Sequence, residues 1–597
     1  MVRLGTVGSW LLLSQLIFHS PAGFAQQSEE RQRAPADATV NVTIEGVDGE
    51  LEDNVQGYLS IMELDGKAAP ARFRLRFLQR RGEEQIRQAL APFGYYQPTI
   101  ESSLELVGST WQVHYSIAPG EPVRLDEIDI RILGDGREDP KFQKLLKQHR
   151  LVSGNVLHHE AYESLKRQLR NLATERGYYN ARFTEQQVKV ELTDLSADVT
   201  LFFDTAVRYA FGETTFCCTE LDNDFLHRFR NYEAGDPFQT RELLDLQVAL
   251  SGSQYFSSIE VAPDWENRQD GSVPITVDVE ANKRDRYQFG LGYGTDTGAR
   301  ATVGFDRRWV NARGHKLNSI LRLSQVQNTG FVSYIIPGTD PVTDQYSLTG
   351  EITDRSYQEQ RSTLYRFTAR DTRHFNNWQR TYQLGWQRED FAFGDQPMRS
   401  SNFLIPSVEV SLVESTSVAD NRNLVEDGYR VSANLQGASS SLLSETSFVS
   451  ARLSAKWVHS YTEKFRMLLR GEAGGMAVSN FSSLSPSLRF FAGGDYSVRG
   501  YEYEQLGPRN EEGVVTGGRY LVTGSVEFDY KVADSWRVAV FSDFGNSFMD
   551  WPVTIKQSYG IGVRWISPIG PVRLDVAQAV DEPGNPWRIH LTLGPDL

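Results

Sequence analysis

From about residue 282 to the end, apolar and polar residues alternate in one short segment after another. Sixteen segments of about ten residues can be read, near 286–296, 299–309, 315–326, 328–336, 345–355, 361–372, 378–389, 402–414, 429–439, 447–459, 464–476, 519–531, 535–545, 557–566, 571–579 and 586–594. Alternation of period two sends successive side chains to opposite faces of a strand. In 525–532, Val526, Phe528, Tyr530 and Val532 share one face, and Glu527, Asp529 and Lys531 the other. Trp536, Val538, Val540 and Phe544 likewise oppose Arg537 and Asp543, and Trp587, Ile589, Leu591 and Leu593 oppose Arg588, His590 and Thr592. A soluble sandwich would alternate too, but with its apolar face inward and with short, Pro-rich loops. Here the polar faces are rich in charge, which suits a wet lumen, and Trp and Tyr sit near strand ends, which suits a membrane girdle. An even strand number is what a single-chain outer-membrane barrel requires. A 16-stranded transmembrane β-barrel is therefore expected over 282–597.

The N-terminus agrees with export. Arg3, the apolar run 8–18 and the small residues Gly23 and Ala25 read as a signal peptide over 1–25, followed by a polar linker over 26–37. No later run of 18 apolar residues predicts a spanning helix. The expected location is the outer membrane, with the front half in the periplasm. A net charge of −15 argues against a nucleic-acid partner.

The front half contains a repeat. Residues 83–120, 162–204 and 241–281 each read as an amphipathic helix, a tight aromatic step and two alternating strands. The steps are Tyr95-Tyr96, Tyr178-Tyr179 and Tyr255-Phe256, about 80 residues apart. Strands over 121–133 and 206–216, and further helices over 140–149 and 223–231, complete a β-α-α-β-β order. Three small α+β domains are expected over 38–119, 120–204 and 205–281, with Tyr96, Tyr179 and Phe256 wedged between helix and sheet. The only cysteines, Cys217 and Cys218, are adjacent and lie in no metal-binding spacing. They read as small residues of no special role. His158-His159 reads as a solvated turn. No G-x-S-x-G elbow, Walker loop or H-E-x-x-H occurs, so no enzyme and no cofactor are expected. His590 faces the lumen by parity but has no nucleophile beside it in the sequence.

One stretch breaks the barrel pattern. Residues 477–519 hold "FAGGDYSVRGYEYEQLGP" (491–508) and form no strand. If the first strand rises from the periplasm, this link between strands eleven and twelve is the sixth outer loop. Loops that long are usually functional.

The residues now carry a resemblance. The "GYY" step and the β-α-α-β-β order resemble POTRA domains. "VRGY" (498–501), "FSDFGNSF" (541–548) and "GIGVRWISPIGPVRLDVA" (560–577) resemble the BamA/TamA superfamily of outer-membrane assembly and secretion proteins. The last motif contributes Gly560, Gly562, Arg564, Pro568, Gly570, Arg573 and Asp575. The resemblance implies that the loop carrying Val498, Arg499, Gly500 and Tyr501 folds into the barrel, with Arg499 meeting wall carboxylates, here Glu527 and Asp543. Three POTRA-like units and the ending "LTLGPDL" (591–597) are similar to the TamA branch. That branch implies an inner-membrane-anchored TamB-like partner at the first POTRA domain, unfolded outer-membrane protein clients such as autotransporters, and contact with outer-membrane lipid.

The implied function is insertion or assembly of outer-membrane proteins without nucleotide energy. A weak seam is expected between the first strand, with Gly290, Gly292 and Gly294, and the last, which runs into Gly594 and Pro595. Glycine weakens strand pairing, and proline donates no ladder bond. Three alternatives stay open: a BamA-like general assembly protein, a two-partner secretion pore, and a passive channel. Two POTRA units and a plug helix would mark the secretion pore, and a channel needs no POTRA repeats.

Overall fold

A computed structural model of the chain describes residues 38–296, 298–418, 421–567 and 570–593. The expected signal peptide (1–25), the linker (26–37), Pro568, Gly594 and Pro595 lie outside the described residues.

Three three-stranded sheets precede the barrel. In each, the strand that comes last in sequence lies in the middle, parallel to the first and antiparallel to the second. The strands are Thr39–Glu45, Thr99–Val107 and Thr110–Ala118; Arg124–Leu133, Arg182–Glu191 and Ser196–Asp204; and Ala210–Cys217, Phe256–Pro263 and Ser272–Ala281. Two helices join the first and second strands of each sheet: Gly49–Tyr58 and Arg72–Leu90, Pro140–Gln148 and His159–Glu175, and Asn223–His227 and Thr240–Gly252. The middle strands alternate buried and half-exposed residues, because only one face is covered by helices. Pro140 opens its helix at a position that needs no N–H, and the Asp139 side chain accepts from Lys141 N. In the first domain, Tyr115 crosses from sheet to helix and donates to Gln79 O at 2.9 Å. It fits because Gly82 has no Cβ, which would stand 2.2 Å from the Tyr115 hydroxyl.

Three local expectations are corrected. The buried member of the second aromatic step is Tyr178, at 3% exposure, and Tyr179 lies half exposed, stacked on Trp265 with centroids 4.4 Å apart. In the first step, Tyr95 packs against the core and the Tyr96 hydroxyl bonds His159 Nε2 at 2.6 Å. Only in the third step are both residues buried, Phe256 among them. The cause is one residue of phase, since the strand begins later than the tyrosine pair suggests. The pair His158-His159 is likewise no open turn: His158 packs edge-on against Phe93, and burial lowers the pKa of His159. The helix Asn223–His227 also ends four residues before the expected 231.

The barrel contains all sixteen expected strands, antiparallel and paired in sequence order. It is inside out relative to a soluble core. Arg537, Asp529, Asp543, Arg564 and Asp575 are buried, whereas Trp536, Val538, Val540, Ile561 and Ile589 are exposed on the outer surface. That partition fits a wall between lipid and a polar interior. The wall is uneven. Arg399–Val418 and Asn421–Ala438 run 20 and 18 residues, but the first strand, Asp285–Gly294, has 10 and the last, Trp587–Leu593, has 7.

Contacts of the third α+β domain orient the barrel. Its Asp222 N donates to Ala312 O at 2.8 Å, Tyr255 Oη to Gly314 O at 2.5 Å, and Arg228 Nη2 to Pro337 O at 3.2 Å. These acceptors sit around the links from strand two to three and from four to five. Even-to-odd links are therefore periplasmic, and odd-to-even links face outward. The segment 479–519, between strand eleven (Phe465–Val478) and strand twelve (Tyr520–Ala533), is an outer loop.

Candidate functional site

The outer loop turns back into the barrel. Two single-turn helices, Phe481–Ser483 and Pro486–Leu488, lead it in. Leu484, Leu488, Phe490, Ala492, Val498, Tyr501 and Leu506 are buried with Phe403, Ile405 and Met476 of the wall. This apolar plug fixes the loop's depth, and polar contacts fix its register. Ser401 Oγ donates to Ser483 O at 2.8 Å, Ser487 Oγ to Glu389 Oε2 at 2.5 Å, and Gln360 Nε2 to Val515 O at 2.6 Å. Arg355 pairs with Glu504, and Arg588 Nη2 donates to Glu502 at 2.6 Å.

Arg499 lies at the bottom of the loop with 5% exposure. Its Nε donates to Asp543 Oδ2 at 2.7 Å and its Nη2 to Asp543 Oδ1 at 2.9 Å. Its Nη1 donates to Glu527 Oε2 at 2.8 Å and to Asp575 Oδ2 at 3.0 Å, and Nη2 also to Ser525 Oγ at 3.1 Å. The planar fork is thus satisfied along every edge. The guanidinium carbon stands 3.4 Å from the Phe541 ring centroid, adding a cation–π contact. The acceptors are shared with Arg564, whose Nη2 reaches Glu527 Oε1 at 2.7 Å and Nη1 reaches Asp575 Oδ1 at 2.5 Å. Arg470 stands 3.9 Å from Asp543. Three carboxylates therefore face the guanidinium groups of Arg499, Arg564 and Arg470, with Arg573 lining the same cavity, so the buried negative charge is fully compensated.

The glycines make room for this cluster. A Cβ on Gly562 would stand 1.8 Å from Asp575 Oδ1, and one on Gly560 2.2 Å from the Phe541 ring. Gly500 has φ +91° and would meet Ala579 N at 3.1 Å. Its N–H donates to His590 Nε2 at 2.8 Å. Tyr501 Oη donates to Gln557 O at 3.1 Å, and Val498 is fully buried.

The structure thus brings Arg499 together with Glu527 and Asp543, and adds Asp575 and Arg564, which had been placed only in a strand motif. Parity could have placed both on the lumen face, though not against Arg499, since Arg564 and Asp575 alternate with outward Val563, Trp565, Leu574 and Val576. Gly570 opens the fifteenth strand, and Arg573 stands two residues from Asp575 on the same lumen-facing set. A second cluster, in which Asp529 accepts from Arg466 and Arg537, had not been foreseen. Cys217 and Cys218 are free thiols with sulfurs 2.9 Å apart. The Cys217 thiol is pushed up to about 12, first by its hydrogen bond to Asp278, which keeps it protonated and unreactive.

The seam is the other exceptional place. Each neighbouring pair of strands forms a hydrogen-bonded ladder, but none joins the first strand to the last among the described residues. Gly290, Gly292 and Gly294 all pair with strand two, opposite Thr302, Arg300 and Gly298. Tyr287, Phe289, Leu291 and Tyr293 of the first strand are exposed, Leu291 at 91%.

Comparison with known proteins gives two family matches. Residues 291–596 match the Omp85 superfamily domain, and residues 41–119 match the first POTRA domain of TamA. Two curated relatives are similar over short stretches. Outer envelope protein 80, chloroplastic, of Arabidopsis thaliana is 34% identical over 135 residues, 20% of this chain and 16% of the relative. The outer membrane protein assembly factor BamA of Nitratidesulfovibrio vulgaris is 30% identical over 118 residues, 18% of this chain and 15% of the relative. The matched part is thus about a sixth of these relatives' length. The crystal structure of BamA from Haemophilus ducreyi lacking POTRA domains 1-3 shares the fold, with a TM-score of 0.66 and 16% identity, covering 79% of this chain and 99% of that one.

Proposed function

The chain belongs to the Omp85 superfamily, and from that premise we propose that it inserts other outer-membrane proteins, such as autotransporters, through the gap between its first and last strands. As an Omp85 protein it is an outer-membrane barrel with periplasmic POTRA domains, of the assembly and translocation class. The observation that carries the finer reading is that, among the described residues, no ladder joins the first strand to the last. An edge strand with free N–H and C=O groups is a template for another strand. Each backbone bond left unmade removes about 0.5–1.5 kcal/mol of net stabilisation, so this seam opens at lower cost than any other line in the wall. The exposed apolar row from Tyr287 to Tyr293 would meet a client's lipid-facing side chains and the surrounding outer-membrane lipid.

A photo-crosslinking residue at Phe289 should capture a barrel client during insertion, whereas one at Phe367, mid-wall and also exposed, should not. Equal capture at both positions would remove the seam from the reading. The TamA-type match of the first domain supports a TamB-like, inner-membrane-anchored partner. Pull-down with the full chain should retain such a partner, and removal of residues 38–119 should release it. The buried Arg499 cluster is proposed as the anchor that holds the loop and braces strands twelve to fifteen. Its part is structural, and client chemistry is confined to hydrogen bonding and apolar contact.

A further inference from the structure

The outer end of the seam is bridged by side chains where the ladder is missing. Leu591 N of the last strand donates to Thr295 Oγ1, in the turn after the first strand, at 3.2 Å. Thr295 Oγ1 donates to Asp495 of the loop at 3.1 Å. His590 Nδ1 lies 2.5 Å from Asp495 Oδ1, and Asp495 N donates to Asp296 Oδ2 at 2.7 Å. Asp495 and His590 are buried, at 8% and 1% exposure. The loop backbone fits this close because Gly494, at φ +101°, has no Cβ to strike Asp296 Oδ2 at 2.6 Å.

The direction of each bond follows from the donors. The Gly500 N–H points at His590 Nε2, so Nε2 is an acceptor and the ring proton sits on Nδ1, where it is given to Asp495. Both ring nitrogens are therefore occupied. Asp296, Asp495 and His590 lie close enough together to suggest a cation site, but the imidazole has no free lone pair to offer one.

The two halves of the bridge differ. The loop is joined to the last strand by a buried, charge-assisted bond and by Gly500, whose neighbour Arg499 is locked to the wall. Among the described residues, its hydrogen bonds to the first hairpin are those with the Thr295 hydroxyl and the Asp296 carboxylate. We propose that Asp495 and His590 are positioning residues that keep the loop fastened to the last strand, and that the seam opens by parting the first hairpin from Asp495 at Thr295 and Asp296. The first strand is then the edge offered to a client. This rests on the seam reading above and is tested without a client, so either can fail alone.

The test is spin-label distance measurement on the full chain in lipid nanodiscs. One label pair joins Ala299 in the first hairpin to Pro583 beside the last strand, and the other joins Glu511 in the loop to Pro583. Thr295→Val with Asp296→Ala should raise the long-distance population of the first pair on the order of tenfold or more, the effect of losing three hydrogen bonds, Leu591 to Thr295, Thr295 to Asp495 and Asp495 to Asp296. The second pair should not move, and Thr295→Ser should behave as the parent. A shift in both pairs, or in neither while the barrel remains folded, would overturn the proposal. Should the double variant fail to fold, Thr295→Val alone decides by the same two distances.

Discussion

Arg499 and Asp543 are joined by three hydrogen bonds, two from the guanidinium and one from the Arg499 backbone N–H at 3.0 Å. Asp543 therefore reads both the side chain and the position of the loop's own backbone. A lysine at 499 would keep the charge but lose the fork. Arg499→Lys should destabilise the barrel, and Arg499→Ala should cost about 3–5 kcal/mol, because buried carboxylates lose their partner. Urea denaturation in lipid, followed by heat-modifiable gel mobility, measures it. Parent-like stability of Arg499→Ala would show that the cluster does not anchor the loop.

The obvious charge swap should fail. Arg499→Glu with Glu527→Arg restores one pair but leaves a glutamate facing Asp543 and Asp575, both Arg499 acceptors. The double variant is expected to be no more stable than Arg499→Glu alone. Recovery to the parent level would mean that Glu527 alone sets the Arg499 interaction.

The two motif glycines are a sharper test of packing. Gly562→Ala places a methyl 1.8 Å from Asp575 Oδ1, and Gly560→Ala pushes on Phe541 beneath Arg499, whereas Gly350 has open space around it. The first two substitutions should cost about 1–3 kcal/mol each, and Gly350→Ala nothing or less. Equal effects at all three positions would contradict the geometry.

The bridge at the seam should respond to pH. Burial, and then the charge of Asp495, push the Asp296 carboxyl up to about 6. His590 and Arg588 face it from the last strand, and Tyr357 and Tyr503 also stand near. The folded bridge thus favours the neutral acid. Its contribution is complete below the ordinary Asp range near ~3.9 and is lost as pH rises through about 6. The Ala299–Pro583 distance should broaden between pH 5 and pH 7.5, and Asp296→Asn should flatten that profile. The same broadening in Asp296→Asn would assign the effect to another group.

In the second α+β domain, Tyr178→Ala should cost about 3–5 kcal/mol, as for a buried aromatic, and Tyr179→Ala about 0.5–1.5 kcal/mol, for one lost stacking contact. Thermal unfolding separates them, and the reverse order would restore the sequence-based expectation.

The sequence made the wall legible because alternation is a local signal. Val538 and Arg537 differ in face whatever lies across the lumen, so strand number and phase could be read without a partner. The wedge in the aromatic steps was misread because Tyr178 and Tyr179 are chemically alike, and only where the strand starts tells which is buried. Asp575 as a third acceptor of Arg499 depends on a contact 76 residues away in sequence, which no period reports. The helix that opens the first domain, Gly49–Tyr58, is short and polar and shows no clean period, whereas the strand before it, Thr39–Glu45, does alternate Val40, Val42 and Ile44 with Asn41, Thr43 and Glu45. The Asp495–His590 bond joins an irregular loop to the last strand, so it emerges only in three dimensions.

The central claim is that clients enter through the first-to-last seam. A cysteine at Tyr293, paired in turn with one at Ile589, Leu591 or Leu593, tests it by disulfide formation in liposomes while insertion of a labelled barrel client is followed. The expected result is that the oxidised pair stops insertion and reduction restores it. Undiminished insertion with the seam fully cross-linked would contradict the claim.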